Sequence, residues 1–514
     1  MNLGQQVKVN AKKYADKTAL KDHQRSFTYA ETNRRVNRLA HGLMGLGLAK
    51  GDKVAVFMDN CIELVELFLA TAKTGIIIVP INFRLVGREV RYIVNNADAK
   101  AIVVQAPFTG VIDPIKSELD NIPHENYLLV GGPSEGYIEY EGFIAANPDD
   151  EPGVDVKPAD TWILMYTSGT TGNPKGVIRS HESHIAFYLI NGLDMGFNDN
   201  DYCMNVMPLC HINSTFYTFM FLYIGGSVYV HPALGVRAPD LLRIVEAERI
   251  TFISLIPTHY NLILNVDGPH RSRDVRSIRK LLCSSAPVRR KMKREIMAFF
   301  PNAEFYEGYG STEAGSVTVL KPEDQMTKTG SIGRELLGTD FIKILDSQGK
   351  EVPTGEVGEI YSRGPTLFDE YYKLPEKTAA SFRDGWFSAG DMGMRDADGY
   401  YYIVDRKDNM IITGGENVYP SEVEEAVGSH ACVFDCACIG LPDEKWGEKI
   451  IAVVTLKDGV DEAAVGEAEI QACCREKLAG YKRPKEVVFI KSDDMPRTTT
   501  GKILHRQLRA RYAK

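Results

Sequence analysis

The sequence predicts an α/β protein in two parts: a large N-terminal domain of mixed sheets covered by helices, residues 1–404, and a small α+β C-terminal domain, residues 405–514. Three observations carry that expectation. Helix-period and strand-like apolar stretches alternate to about residue 320, the pattern of parallel strands joined by crossover helices. From about Ile342 the chain turns to short strands punctuated by Gly349, Pro353-Thr354-Gly355, Gly358 and Gly364, a small β-rich segment. After Asp405-Arg406-Lys407-Asp408 it changes again, to a compact run of helix, strand and helix. A chain of 514 residues is also too long for one hydrophobic core.

The elements follow in order. Thr28-Tyr29-Ala30-Glu31 has the spacing of a capping box, so a helix starts there. Val36, Leu39, Ala40 and Leu43 then recur at helical spacing, and Gly45 and Gly47 end it. Lys53–Met58 reads as a buried strand, the stretch from Cys61 as an amphipathic helix, and Ile76–Val79 as a second buried strand. Met220–Val230 is broken by Gly225-Gly226, and the β-branched run Ile250–Ile256 stops at Pro257. In the C-terminal part a helix is expected near Ser421–Val427, a strand near Ile450–Leu456 and a helix near Ala463–Leu478. No internal repeat is evident.

Composition excludes several classes. An apolar fraction of 44% and a charged fraction of 25% are those of an ordinary globular chain. The net charge of −8 and the absence of a basic block argue against a nucleic-acid partner. The most apolar stretch, Cys61 to Pro80, contains Glu63, Glu66 and Lys73, so no integral span is expected; peripheral contact with a membrane stays open. The first residues, Met1 to Gln5, do not read as a signal peptide, and Arg511 to Lys514 do not read as a peroxisomal address. Nine cysteines without framework spacing fit a reducing compartment, and the cytoplasm is expected. His430, Cys432, Cys436 and Cys438 form one tempting metal cluster, but no paired C-x-x-C accompanies it. They read as core residues.

The most informative stretch is Tyr166 to Gly176. Four aliphatic hydroxyls (Thr167, Ser168, Thr170, Thr171), three glycines (Gly169, Gly172, Gly176) and Lys175 fall within eleven residues. Glycines let successive N–H groups converge into an anion-binding nest, the hydroxyls add donors, and Lys175 balances phosphate charge. Pro174 precedes Lys175 and the G-x-x-x-x-G-K spacing fails, so this is not a Walker loop.

This loop resembles the signature of the AMP-forming adenylating enzymes: acyl-CoA synthetases, luciferases and peptide-synthetase adenylation domains. The resemblance runs in order over nearly the whole chain and is greatest to bacterial fatty-acyl-CoA and aryl-CoA ligases. It implies an N-terminal domain with a distorted β-barrel subdomain and a small, mobile C-terminal domain. It also implies ATP, Mg²⁺ and coenzyme A as cosubstrates and metal, and a small carboxylic acid as substrate. Oligomeric state is left open, a homodimer included.

Further motifs resemble the family's in turn. In Gly308-Tyr309-Gly310-Ser311-Thr312-Glu313 the resemblance implies that Tyr309 stacks on adenine, Thr312 contacts the α-phosphate and Glu313 holds Mg²⁺. Glu307, Gly308 and Gly310 count with them among the nucleotide-binding residues. Ser284-Ser285-Ala286-Pro287 stands where two glycines are usual, with Ser285, Ala286 and Pro287 implied at the nucleotide. Asp391 in Trp386-Phe387-Ser388-Ala389-Gly390-Asp391 is implied to accept from the ribose hydroxyls, with Ala389 in a threonine position. Arg406 is implied at ribose or phosphate, and Asp408 at the hinge.

Lys502, in Pro496-Arg497-Thr498-Thr499-Thr500-Gly501-Lys502, matches the catalytic lysine. It would hold the substrate carboxylate against the α-phosphorus. Gly414, Gly415 and Glu416 match the loop that faces coenzyme A in the second half-reaction. For the acid pocket, His211, Thr258, Ser285, Gly310, Ala314 and Gly333 are the candidate lining residues, His211 as wall or gate. Cys210 replaces an aromatic residue beside it. The expected activity is an AMP-forming acyl-CoA ligase for a medium- or long-chain fatty acid or a related apolar acid. An aryl-CoA ligase, a carrier-protein-loading enzyme and a luciferase-like oxygenase are the alternatives.

Overall fold

The structure, a computed structural model, describes residues 2–167, 174–284, 288–460, 465–475, 477–497 and 503–513, with Asp408 described by its backbone alone. Ser168, Gly169, Thr170, Thr171, Ser285, Ala286, Pro287 and Lys502 therefore lie outside the described residues. The chain divides into two compact units, Met1–Phe341 with Ser362–Phe387, and Ile342–Tyr361 with Ser388–Lys514.

The first unit is built on two open sheets. One runs, from edge to edge, Ser26–Thr28, Thr18–Lys21, Ser227–Val230, Tyr202–Asn205, Phe252–Leu255, Lys280–Cys283, Glu304–Ser311, Gly315–Leu320 and Arg334–Glu335. The strands from Thr18–Lys21 to Glu304–Ser311 are all parallel. The other runs Ile138–Glu139, Tyr127–Val130, Ala99–Gln105, Lys53–Phe57, Ile77–Ile81 and Thr161–Thr167 in parallel, then Lys175–Ser180 and Glu370–Tyr371 antiparallel. The expected α/β alternation is thus realised as parallel strands with intervening helices.

Local chemistry sets the helices. Tyr29–Gly45 begins with the expected capping box, Thr28 accepting from the Glu31 N–H while the Glu31 carboxylate accepts from the Thr28 N–H. Ile212–Ile224 ends at Gly225, whose φ of 91° is the left-handed conformation that glycine adopts without strain. The largest apolar cluster joins Val54, Ile78 and Trp162 of one sheet to Val228 and Phe252 of the other through these helices.

One expectation changes. Ile62–Thr74 is not amphipathic in place: every one of its residues is buried. Its three charges are all paired. Glu63 accepts from Arg25 at 2.6 Å, Glu66 from Arg35 and from Tyr140, and Lys73 donates to Glu151 at 2.7 Å and to Asn33 and Asn37. Buried ions persist only with such partners.

The second unit holds an antiparallel sheet of Lys343–Leu345, Gly358–Tyr361, Asp391–Arg395 and Tyr401–Arg406. This is the expected β-rich segment, and no sheet among the described residues closes into a barrel. Because Asp391–Arg395 pairs with Tyr401–Arg406, the compact unit reaches further back than residue 405. A further sheet of Glu416–Val418, Ile411–Thr413, Gly447–Leu456, Val433–Asp443 and Glu486–Phe489 packs with Pro420–Gly428 and Glu467–Arg475. Cys436 and Cys438 are buried in its core beside Val423, Val427 and Ile470, while His430 pairs with Glu469. No helix among the described residues is long and apolar enough to cross a membrane.

Candidate active site

The glycine-rich loop joins two strands of one hairpin. Tyr166 is paired with Gly176 and Thr167 with Lys175, so the loop leaves the sheet at a fixed place although Ser168–Asn173 are not described. Gly176 is required by packing: a Cβ there would come within 2.7 Å of the Leu164 side chain. Its carbonyl accepts from the Tyr372 N–H at 2.8 Å, which fastens the edge strand Glu370–Tyr371 alongside. Lys175 Nζ then lies 4.3 Å from the centre of the Tyr371 ring, a cation–π contact.

The same tyrosine reaches the second motif. Tyr371 donates its hydroxyl to Glu313 Oε1 at 2.8 Å. The backbone of this motif is held from below by Arg179, which is fully buried. Arg179 donates to the carbonyl of Thr312 at 2.8 Å, of Glu313 at 3.4 Å and of Thr366 at 2.6 Å, and lies over the Phe216 ring. Burial lowers its pKa to about 10, partly offset by Asp369 and Glu313, so it stays charged at neutral pH. Thr312, Glu313, Lys175 and Thr167 are thereby gathered at one edge.

Glu313 fits a divalent cation. It is a half-buried carboxylate with one oxygen held by Tyr371, whose ring also lies against Lys175, and Mg²⁺ takes carboxylate and phosphate oxygens. Bound there, Mg²⁺ supplies charge neutralisation to the phosphates. Arg179 and Tyr371 escaped the sequence reading. A lone arginine inside the apolar run Val177-Ile178-Arg179 was the available signal for the first; nothing local marked the second.

Other candidates divide. Tyr309 and Gly308 lie on the strand Glu304–Ser311, half-buried, next to the turn that carries Thr312 and Glu313. Glu307 makes an ion pair with Lys293, which is fully buried, and accepts from the Val288 N–H at 3.3 Å; burial raises its pKa. Its visible partners are thus structural. Gly310 and Gly333 are explained by close backbone approach, since a Cβ on either would fall 1.9 Å from a carbonyl oxygen, of Gly315 and Val319 respectively. Ala314 is buried and donates its N–H to Ser311 Oγ.

His211 caps Ile212–Ile224 beyond the strand Tyr202–Asn205, and Thr258 lies exposed in the first turn of Pro257–Leu264, beyond Phe252–Leu255. Both thus sit past the carboxyl ends of parallel strands, where open α/β sheets bind ligands. Burial lowers the His211 pKa to about 4, with Arg84 adding, so the ring is neutral at physiological pH. A separate apolar pocket, lined by Leu3, Val7, Tyr29, Trp162 and Phe219 among others, includes none of the candidate residues.

In the second unit Asp391 and Arg406 are cross-strand neighbours, joined at 3.0 Å, with Asp391 only 8% exposed. The turn Lys407–Asn409 follows at once and contains the backbone of Asp408. Gly414 and Gly415, with φ of 60° and 84°, form the two-residue tip of an exposed hairpin that continues into Glu416. Gly414 donates to the Trp446 carbonyl at 2.7 Å.

Parallel sheets, a glycine-rich hairpin, an anchored acidic turn and a separate small unit are what the resemblance to ATP-using, acid-activating enzymes led one to expect, and the comparisons with known proteins agree. The chain belongs to the AMP-binding enzyme family: the model described as AMP-binding enzyme matches residues 7–372, and that described as AMP-binding enzyme C-terminal domain matches residues 422–502. It is similar to the long-chain-fatty-acid–CoA ligase FadD13 of Mycobacterium tuberculosis, 36% identical over 489 residues, covering 95% of this chain and 93% of that one. It is equally similar to a feruloyl-CoA synthase of Amycolatopsis sp, 36% identical over 499 residues and 96% of each chain. Among solved structures, the anthranilate CoA ligase AuaEII in complex with anthranoyl-AMP superposes with a TM-score of 0.90 at 29% identity, covering 100% of this chain and 97% of that one. The chain is an enzyme of the AMP-forming acyl-CoA ligase class, which works with ATP, Mg²⁺ and coenzyme A.

Proposed function

We propose that this chain activates a fatty acid of medium or long chain, or a related apolar acid, and transfers the acyl group to coenzyme A; an aryl acid is the alternative. A carboxylate oxygen attacks the α-phosphorus of ATP as the bond to pyrophosphate breaks. The coenzyme A thiol then attacks the acyl carbonyl, losing its proton, and AMP leaves. The observation that carries this reading is the meeting of Lys175, Tyr371 and Glu313 at the mouth of the glycine-rich hairpin.

Roles follow from chemistry and from the motifs. The loop Thr167–Thr171 and Lys175 cradle phosphates, Thr312 contacts the α-phosphate, Glu313 takes the metal, and Tyr309 stacks on adenine. Asp391 accepts from ribose, with Arg406 beside it. Lys502 orients the carboxylate for adenylation only. The C-terminal domain then turns about Asp408 and offers Gly414, Gly415 and Glu416 to coenzyme A. Nine cysteines free of disulfides support a cytoplasmic site of action.

The test is pyrophosphate and thioester formation over a panel of acids, with coenzyme A or a carrier protein as acceptor. Acid-dependent pyrophosphate and acyl-CoA are expected. Pyrophosphate without any coenzyme A thioester would overturn the assignment of the acceptor.

A further inference from the structure

The carboxyl ends of the neighbouring strands Tyr202–Asn205, Phe252–Leu255 and Lys280–Cys283 carry a polar chain that the reaction does not use. Ser254 donates its hydroxyl to Asn213 Oδ1 at 2.8 Å, and Asn213 donates Nδ2–H to Ser284 Oγ at 2.9 Å. The three residues come from three segments. Ser254 is on its strand, Ser284 directly follows the next strand, and Asn213 is in the first turn of Ile212–Ile224.

Ser254 is buried, whereas Asn213 and Ser284 are half-exposed. An amide has two N–H donors and two acceptor lone pairs, and a hydroxyl has one donor. The chain spends one N–H and one lone pair of Asn213 and an acceptor position of Ser284. Among the described residues, one N–H and one lone pair of the amide, and the Ser284 proton, have no partner and are open to a ligand.

The location gives that capacity its meaning. Asn213 is two residues from His211, and Ser284 immediately precedes Ser285, both candidate acid-pocket residues. On the helix Pro257–Leu264, His259 Nδ1 is buried with no hydrogen-bond partner among the described residues. A polar wall in this position is out of keeping with a plain hydrocarbon tail, which would strip water from the amide and hydroxyl and give nothing back.

We propose that Asn213 and Ser284 form a polar recognition wall in the acid pocket, and that the preferred acid is compact and carries a hydroxyl, amino or amide group near its carboxylate rather than an unsubstituted long chain. This rests on the acid-activating reading of the site and departs from its medium- or long-chain substrate, which it replaces by a compact, substituted acid. Ser254 acts as a positioning residue, since it fixes the amide's orientation: Oδ1 toward the serine donor, Nδ2 toward Ser284.

The experiment compares kcat/KM for pyrophosphate release across matched pairs, such as 3-hydroxybutyrate with butyrate and 2-hydroxybenzoate with benzoate, alongside palmitate. At least one substituted acid is expected to exceed its plain partner and palmitate by about tenfold or more. In Asn213→Val/Ser284→Ala that ratio should fall to within about threefold of unity, and Ser284→Ala alone should lower it partway. Thermal melting of each variant shows that it is folded; if the double variant melts early, Ser284→Ala carries the comparison. Palmitate equal to the best substituted acid, or a preference that survives in the folded variants, overturns the wall while leaving acid activation intact. Absence of acid-dependent pyrophosphate with every acid overturns the parent reading instead.

Discussion

Arg179 and Thr312 are 133 residues apart, and the guanidinium of the first donates to the main-chain carbonyl of the second at 2.8 Å. Two more carbonyls, of Glu313 and Thr366, share the same group. A turn that must present a hydroxyl and a carboxylate is thereby fixed through its backbone, without Arg179 engaging either side chain.

Arg179→Met is expected to leave three carbonyls without their donor, at a cost of about 3 kcal/mol or more, and to lower adenylation as the turn loosens. Arg179→Lys should recover little, because a single ammonium cannot reproduce the planar fork. Urea unfolding and pyrophosphate release measure the two effects. Lost activity with unchanged stability would mean that the arginine acts on the nucleotide and not on the turn.

Tyr371→Phe separates two contacts. The ring beneath Lys175 stays, and the hydrogen bond to Glu313 goes. With the carboxylate freed from one restraint, the Mg²⁺ concentration for half-maximal adenylation should rise and kcat/KM should fall about tenfold, corresponding to about 1.4 kcal/mol. A magnesium titration of pyrophosphate release decides it; an unchanged half-saturation point would separate Tyr371 from the metal.

What was legible in the sequence was local. The box of Thr28 and Glu31 could be read because its two hydrogen bonds close within four residues. The burial of Glu63, Glu66 and Lys73 could not, because their partners Arg25, Arg35 and Glu151 lie 31 to 78 residues away. The glycine-rich loop was legible from its own hydroxyls, glycines and lysine, yet the tyrosine that ties Lys175 to Glu313 comes from the far edge strand, at residue 371. Gly310 and Gly333 show the same limit from another side: the backbone approach that requires glycine there, 1.9 Å from an added Cβ to a carbonyl oxygen, comes from Gly315 and Val319. Long-range partners and backbone approach are properties of the fold, not of any window of sequence.

Acid should weaken the first unit through its buried histidines. His181 stacks on Trp162 and accepts from the Leu3 N–H at 3.4 Å, and burial lowers its pKa to about 4. Unfolded, it titrates near about 6.5. The folded state therefore binds fewer protons between those values, so stability is fully present above about pH 6.5 and is lost as pH falls toward about 4. At pH 5 this one residue is expected to cost about 2 kcal/mol relative to pH 7. Urea midpoints at the two pH values, for the wild type and His181→Phe, measure it; a variant as acid-sensitive as its parent would assign the effect elsewhere.

Asp391 and Arg406 admit a sharper test, because their cross-strand pairing already gives both residues a structural role without any ligand. If the pair were only a strand-to-strand contact, Asp391→Asn would cost about 1 kcal/mol of stability and leave nucleotide discrimination alone. If Asp391 also accepts from the ribose, the charged acceptor contributes about 1.5–3 kcal/mol, and the wild-type enzyme should prefer ATP over 2′-deoxy-ATP by about tenfold or more. Asp391→Asn should then raise KM for ATP and shrink that preference, whereas Arg406→Gln should raise KM while leaving the preference largely in place. The cycle of two nucleotides against two variants isolates the hydroxyl contact from the ion pair. Equal preference in the wild type and in Asp391→Asn would return Asp391 to a structural role.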